Sequence, residues 1–162
     1  MGIKNYLIEG VSCTGKTSVA RELQRRGFHA INCDNELAYQ GDPITGEPLK
    51  TQDHFHHIWN IEKLNTLTRD HSRAATFFCG GSRNFGKFIH LMDKVFVLEI
   101  DLDTLNQRLA IRPKNEWGGQ PAEQLLIRQL HASKQDIPKG GIIVDATAPI
   151  ENVVDAILAE CG

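Results

Sequence analysis

Short apolar segments alternate with amphipathic segments along the chain, and this alternation predicts a layered α/β domain with a mostly parallel sheet. Five segments read as buried strands: Tyr6 to Ile8, His29 to Cys33, Thr76 to Cys79, Val95 to Ile100 and Ile142 to Val144. The predicted helices are Ser18 to Arg26, His54 to Arg69, a short one after Asn84, Asp103 to Ile111, Ala122 to Gln135 and Ile150 to Glu160. No repeat or long linker divides the chain, so residues 1–162 are expected to form one domain.

Two stretches lack this periodicity. Gly41 to Lys50 contains two prolines and two glycines, and Pro113 to Pro121 is also rich in both residue types. Long loops in compact domains are often lids or binding loops. We therefore expect a short lid at about residues 112–121 and an acceptor-side region at about residues 35–72.

Composition narrows the class of protein. The chain has 162 residues, 41% of them hydrophobic, and carries 18 basic against 20 acidic residues, a net charge of −2. This balance predicts neither a nucleic-acid-binding surface nor a membrane patch. No apolar run has the length of a membrane span, which favours a cytoplasmic protein, expected as a monomer or weak homodimer. The four cysteines lack C-x-x-C spacing and are expected to be reduced.

Residues 10–17, Gly-Val-Ser-Cys-Thr-Gly-Lys-Thr, match the P-loop pattern G-x-x-x-x-G-K-[ST] in full. In that motif the glycines let successive backbone N–H groups face the phosphates, Lys16 reaches the β/γ oxygens, and Thr17 offers a hydroxyl to Mg²⁺. The preceding strand and following helix supply the required context. The motif predicts ATP and Mg²⁺ as ligands, with these binding residues: Gly10, Ser12, Cys13, Thr14, Gly15, Lys16, Thr17 and Ser18. Cys13 either has a functional role, as a thiol at a helix N-terminus, or packs the loop.

Asp34 follows the second strand, at the carboxyl edge of the sheet where ligands bind in open α/β folds. A carboxylate there is suited to orient an acceptor hydroxyl, accept its proton, or hold Mg²⁺ through water. The alternative is that Asp34 caps the next helix.

Gly80 and Gly81 follow the third strand and permit a ligand to approach the backbone closely. Arg83 is then placed to clamp an anionic or polyhydroxyl substrate, or it is a solvated residue of a tight turn.

Four segments occur in the order and spacing of small-molecule P-loop kinases: Gly10 to Thr17, Asn32 to Asp34, Gly80-Gly81 and Asp145 to Thr147. The chain resembles the shikimate kinase and nucleoside monophosphate kinase group. Through residues 45–48 and 78–84 it is similar in more detail to AAA-family ATPase or nucleoside-kinase-like proteins. The resemblance implies a three-layer P-loop fold, with a five-stranded parallel sheet of order 2-3-1-4-5, helices on both faces and a mobile lid.

The resemblance also implies site residues. Arg108 would stack on adenine, and Arg112 would reach the transferred phosphoryl group, helped by Lys114 or Arg128. The turn with Thr147 and Pro149 would line the adenine pocket. For the arginines the alternative is that they stabilise a helix dipole at its carboxyl end. Thr147 also suits a cap and Pro149 the start of the last helix, and for this turn both roles can hold at once.

Two features of the sequence bear on whether Asp34 or the histidines bind a metal ion. Shikimate kinase-like enzymes end the second strand in D-x-D, whereas Asn32 stands here at the first position, which weakens a metal role for Asp34 more than a base role. His54, His56 and His57 have a spacing that turns helical side chains to different faces, so they are not expected to bind metal. With Asp53 and Trp59 they are expected to line the acceptor pocket or cover the core.

These features predict an ATP-dependent phosphotransferase acting on a small-molecule acceptor, with Lys16, Asp34 and Arg112 as catalytic residues. Asp34, Gly80, Gly81, Arg83 and Arg128 are the predicted acceptor-side residues. The alternative is a nucleotide-binding sensor with slow hydrolysis. A GTPase switch is disfavoured because no N-K-x-D motif occurs, and a motor ATPase because the third strand ends in Cys-Gly-Gly instead of an acidic pair.

Overall fold

A computed structural model describes residues 3–161, and its central feature is a five-stranded, fully parallel sheet. The sheet contains β1 (Lys4–Gly10), β2 (His29–Asn32), β5 (Ala75–Cys79), β6 (Lys94–Glu99) and β7 (Ile142–Asp145), in the order β2-β5-β1-β6-β7. Counting only these five strands gives the order 2-3-1-4-5, so the predicted topology is confirmed.

The described residues 3–161 form six α-helices: α1 (Lys16–Arg25), α2 (Cys33–Glu36), α3 (Ile61–Thr68), α4 (Leu102–Ala110), α5 (Pro121–Ser133) and α6 (Ile150–Glu160). Short 3₁₀ turns occupy His54–His56, Phe85–Lys87 and Ile89–Leu91. The predicted helices at α1, α4, α5 and α6 are therefore confirmed to within two residues at either end, which is the usual uncertainty of helix bounds.

Alternation of side chains along β1 builds a core on each face of the sheet. Tyr6 and Ile8 pack into one core, which also takes buried residues from α1, α4, α5 and α6. Leu7 packs into the other, with Leu64 of α3 and Phe88. Helices therefore cover both faces, as expected for a parallel sheet.

The prediction of one helix from His54 to Arg69 is wrong. The segment forms the 3₁₀ turn, then strand β4 (His57–Trp59), and only then α3. Strand β4 pairs antiparallel with β3 (Ala38–Gln40), which was not predicted. The helix begins late because the Asn60 side chain accepts a hydrogen bond from the Lys63 N–H at 3.0 Å, which caps α3 at its N-terminus.

The β3–β4 hairpin is fixed against the sheet by Asn84. Its Oδ1 accepts from the Trp59 N–H at 3.1 Å, and its Nδ2 donates to the Trp59 carbonyl at 3.1 Å. Trp59 itself is fully buried and stacks on Phe88 with ring centroids 5.1 Å apart. The hairpin therefore holds His57, the first residue of β4, in a fixed position beside the carboxyl edge of the sheet.

The structure also bears on two further expectations, one about membrane-spanning segments and one about the cysteine thiols. Among residues 3–161, no helix combines the length and apolar character that a membrane crossing requires. All four cysteines are free, as expected, and burial raises the pKa of the Cys33 and Cys79 thiols. A cytoplasmic location, the single-domain organisation and the oligomeric state stay predictions.

Candidate active site at the carboxyl edge of the sheet

The P-loop connects β1 to α1 and forms the floor of the site. Gly15 is the N-cap of α1 with a left-handed backbone (φ 100°), and no side chain caps the helix there. The first N–H groups of α1 are thus left for an anion, the arrangement that binds phosphate at helix N-termini. Cys13 also has a left-handed backbone, with φ 72°, and Thr14 Oγ1 donates to the Val11 carbonyl at 2.7 Å, which ties the loop into its curl.

Lys16 is the cation of this loop. Its Nζ donates to the Gly10 carbonyl, so the side chain folds back over the loop as the motif requires. Lys16 lines a cavity of about 670 Å³ whose wall includes every P-loop residue from Ser12 to Ser18. Thr17 is among them, so its hydroxyl is available at the place where the motif predicts Mg²⁺.

Two arginines of the α4 region close the other side of this first cavity. Arg108 donates from Nη1 to the Cys13 carbonyl at 2.7 Å and from Nη2 to the Ala146 carbonyl at 2.9 Å, so it links the P-loop to the turn after β7. Arg112 lies 2.8 Å from the Cys13 sulfur through Nη2, and 3.8 Å from Glu116 through Nη1. Both arginines line the cavity, and their roles toward adenine and phosphate stay predictions.

The turn after β7 contributes through different residues than predicted. Ala146, Ala148 and Ile150 line the cavity, whereas Thr147 and Pro149 do not. Thr147 instead donates from N and Oγ1 to the Asp145 carboxylate, at 2.9 and 2.6 Å, and Pro149 occupies the N-cap position of α6. Pro149 therefore starts α6, as its alternative role expected, whereas Thr147 bonds Asp145 and does not cap that helix.

A second cavity, of about 410 Å³, adjoins the first. Its wall combines Gly10, Ser12 and Lys16 of the P-loop with residues of the hairpin region, the turn after β5 and two later loops. These residues are Asp34, Gln40, Gln52, Asp53, His54, His57, Gly81, Arg83, Trp117 and Asp136. Ser12, Lys16, Asp34 and Trp117 line both cavities, so the two spaces meet beside the P-loop lysine.

Asp34 lies at this junction and does not cap a helix. It is in the first turn of α2, and its Oδ1 accepts hydrogen bonds from His57 Nε2 at 2.9 Å and from the Gly81 N–H at 3.3 Å. Burial would raise the pKa of Asp34, but the hydrogen bond from His57 and the charge of Lys16 lower that pKa below its ordinary value. Asp34 is therefore ionised at neutral pH.

The glycine pair after β5 makes room for this carboxylate. A Cβ atom on Gly80 would lie 2.8 Å from Asp34 Oδ1 and 3.0 Å from Trp59, and the backbone there has φ 149°. Only glycine fits such a position without displacement. Gly80 thus supports the site from behind, while Gly81 lines the cavity and donates to Asp34.

Arg83 lines the second cavity, and Asp136 holds one end of its guanidinium. Its Nη1 lies 3.0 Å from Asp136 Oδ2 and 2.6 Å from the Asp136 carbonyl, and both side chains are nearly buried. Asp136 Oδ2 also lies at a hydrogen-bond distance of 2.8 Å from His54 Nε2. Arg128, by contrast, donates to Asn106 at 2.9 Å and lines neither cavity, so the structure does not bring it to the site.

Trp117 of the predicted lid is a contact that the sequence did not reveal. Its Nε1 donates to Ser12 Oγ at 3.0 Å, and its ring stacks on His54 at a centroid distance of 6.0 Å and an angle of 10°. The lid residue thereby joins the P-loop to the hairpin side of the site. Within the part of the chain that is described, no group of three or more histidine, cysteine or acidic side chains is arranged to hold a metal ion.

Glu9 is a second residue that sequence reasoning missed. It is fully buried at the end of β1, where it accepts from the Gly10 N–H at 3.0 Å and the Ser82 N–H at 3.3 Å. Burial raises its pKa from 4.5 to about 7, although the charges of Lys16 and Arg83 oppose the rise. A charged residue at the end of an otherwise apolar strand, next to the first P-loop glycine, was the available signal.

This buried carboxyl group predicts a specific pH dependence of stability. Because the folded-state pKa of Glu9 is raised from 4.5 to about 7, the folded protein holds a proton in this window that the unfolded chain releases. The contribution of Glu9 to the free energy of unfolding is therefore lost as pH rises through about 7, by about 3 kcal/mol in total. Glu9→Gln removes the titration, so its stability should fall less than that of the wild type between about pH 5 and about pH 8.

Denaturant unfolding at both pH values measures the effect, with Glu36→Gln, at an exposed position of α2, as the control. Parallel stability profiles for Glu9→Gln and the wild type would show that Glu9 titrates normally in the folded protein.

The strand order of the parallel sheet and the loop between β1 and α1 are those of the P-loop fold. Solved structures of similar fold include a sugar kinase from Janibacter sp. HTCC2649, at TM-score 0.57 and 19% identity over 98% of this chain and 94% of that one. A gluconokinase from Sinorhizobium meliloti 1021 matches at TM-score 0.58 and 19% identity, over 96% and 90% of the two chains. Shikimate kinase from Aquifex aeolicus matches at TM-score 0.58 and 17% identity, over 97% and 95%.

These likenesses establish the fold, that of the P-loop kinases, over nearly the whole chain. Neither a protein-family model nor a curated protein matches the sequence.

Proposed function

We propose that this chain transfers the γ-phosphoryl group of Mg-ATP to a hydroxyl of a small-molecule acceptor. The observation that carries the proposal is the meeting of two cavities at Lys16 and Asp34. A protein that only binds or hydrolyses a nucleotide needs the first cavity alone. The second, of about 410 Å³, has room for a metabolite directly beside the phosphate end of the first.

The nucleotide side fits the free donors of the loop. Bound Mg-ATP supplies an activated phosphoryl group whose charge the metal helps to neutralise. The uncapped N-terminus of α1 and Lys16 would hold the β/γ-phosphates, and the Thr17 hydroxyl would contribute to Mg²⁺. Arg112, which closes this cavity, would neutralise charge that develops during transfer.

The acceptor side fits a hydroxyl group held by Asp34. This carboxylate is ionised, is fixed by His57 and Gly81, and lines both cavities. It would orient the acceptor hydroxyl toward the phosphorus and accept its proton as the new P–O bond forms. Trp117 would cover both substrates and reduce access of water. The names of the structural neighbours, which include sugar, gluconate and shikimate kinases, support an acceptor of this size.

A coupled ADP-release screen tests the proposal. Wild-type protein with Mg-ATP is incubated with nucleosides, nucleotides, sugars, sugar acids and aminoglycosides, and hydrolysis in buffer alone is the baseline. We expect at least one acceptor to raise ADP release well above that baseline. ADP release that no acceptor changes would favour the nucleotide-binding sensor.

A further prediction concerns Arg108, which closes the first cavity and does not line the second. Arg108→Ala should raise the KM for ATP more than the KM for the acceptor, because the side chain contacts only the nucleotide side. Arg128→Ala removes an arginine that lines neither cavity and should leave both constants unchanged. A larger effect of Arg108→Ala on the KM of the acceptor would remove Arg108 from the nucleotide site.

A further inference from the structure

We infer that the second cavity accepts a polyhydroxyl compound that carries neither a carboxylate nor a phosphate group. This inference rests on the proposed function, because it names the class of acceptor. It follows from the hydrogen-bond and ion-pair partners of each charged side chain on the cavity wall. Arg83 is already paired with a carboxylate, Lys16 belongs to the phosphate side of the junction, and three aspartates line the same wall.

Arg83 is the only arginine on the described part of this wall, and its charge is already balanced. Asp136 holds it through a carboxylate contact at 3.0 Å and a carbonyl contact at 2.6 Å, with the two side chains 11% and 9% exposed. A Cβ placed on Gly81 would lie 3.4 Å from Arg83 Nη2 and 2.9 Å from Glu9 Oε1, so the buried Glu9 carboxyl group is in the neighbourhood of this guanidinium. Arg83 Nε is buried and has no hydrogen-bond partner among residues 3–161. An acceptor anion would have to compete with the buried Asp136 carboxylate for this guanidinium.

The other basic side chains on the wall also have hydrogen-bond partners in the protein. His54 donates to or accepts from Asp136, and His57 is paired with Asp34 at 2.9 Å. Lys16 bonds the Gly10 carbonyl and belongs to the phosphate side of the junction. No basic group of the described wall is therefore free to pair with a carboxylate or phosphate of the acceptor.

The acidic groups would also repel an anion. Asp34, Asp53 and Asp136 line the cavity, and Asp136 Oδ1 is a buried oxygen without a hydrogen-bond partner among residues 3–161. Like charges placed close together inside a protein disfavour binding, whereas a hydroxyl donates to a carboxylate favourably. The amide of Gln52 and the backbone at Gly81 add neutral polar contacts. This chemistry suits a neutral sugar or nucleoside.

Asp136 is then the residue that excludes anions, and it supplies the test. Asp136→Asn keeps the shape of the side chain and removes its charge, which leaves the Arg83 guanidinium available to an anion. Binding of D-gluconate and D-glucose, and of uridine monophosphate and uridine, is measured by calorimetry with Mg²⁺ and a non-hydrolysable ATP analogue filling the P-loop. The wild type should bind neither anionic probe more tightly than its neutral partner, and Asp136→Asn should gain about tenfold or more in affinity for at least one anionic probe.

The double variant Arg83→Gln with Asp136→Asn is the matched control, because it lacks both charges and should lose the gain. Melting temperatures identify any variant that does not fold, in which case the comparison of paired probes on the wild type decides alone. Tighter binding of an anionic probe by the wild type, or no gain in folded Asp136→Asn, would overturn the inference. This binding experiment requires no phosphoryl transfer, so its failure is distinct from a failure of the ADP-release screen, which concerns the proposed function.

Discussion

Replacing Lys16 by alanine is expected to abolish phosphoryl transfer and to weaken ATP binding. The side chain lines both cavities, and Lys16 is the only basic residue among residues 10–17, which the proposed function assigns to the β/γ-phosphates. Removal of one preorganised group that stabilises transition-state charge typically costs about 10² to 10³ in rate. We expect at least this loss in kcat, together with a rise in the Kd for ATP, measured by coupled ADP release and calorimetry.

The loss should not come from unfolding. Lys16 is partly exposed, and its one hydrogen bond is to the Gly10 carbonyl, so the melting temperature should change little. Lys139→Ala, at an exposed position between α5 and β7, is the matched control and should behave as the wild type does. Normal turnover of ATP by Lys16→Ala would contradict the assignment of the phosphate site.

The second large effect is expected from Asp34→Asn. Asparagine has the shape of aspartate, and its Oδ1 can accept the same hydrogen bonds from His57 and Gly81, so the fold and ATP binding should survive. The charge that orients the acceptor hydroxyl and accepts its proton is lost. Loss of a positioned general base typically costs about 10² to 10⁴ in rate. Melting temperature, ATP affinity and kcat should be measured on one preparation.

Glu36→Gln is the control for this variant, because Glu36 is an exposed carboxylate two residues further along α2 that lines neither cavity. A variant Asp34→Asn that melts lower but transfers phosphoryl at the normal rate would reduce Asp34 to a structural residue. Asp53, which also lines the second cavity, would then be the next carboxylate to test.

Much of the fold was predictable because its signals are local. The P-loop pattern determines the path from β1 to α1, and strand periodicity identifies the five strands of the sheet. The β3–β4 hairpin was not predictable in this way, because β4 has only three residues and is stabilised by Asn84, which is distant in sequence from Trp59. Asn60, the N-cap of α3, was the one local signal that the preceding residues are not helical.

In the candidate site, too, the residues with a local sequence signal were predictable and the long-range contacts were not. Lys16, Asp34 and Arg108 were predicted from motif, strand end and resemblance, and all three line a cavity. The partner of Arg83 was beyond prediction, because Asp136 lies 53 residues further along the chain in a loop without a motif. Charge pairing of this kind depends on tertiary contacts, so a sequence shows that a basic residue is present and not whether its charge is available to a ligand.

Transfer of the γ-phosphoryl group to an acceptor is tested most directly by following that group itself. Wild-type protein is given ATP labelled in the γ-phosphoryl group, Mg²⁺ and the acceptor that most increases ADP release, and the label is measured in the acceptor and in inorganic phosphate by mass spectrometry. We expect the label to appear mainly in the acceptor, and Asp34→Asn should greatly slow its appearance there. Label found only in inorganic phosphate, with every acceptor tried, would contradict it.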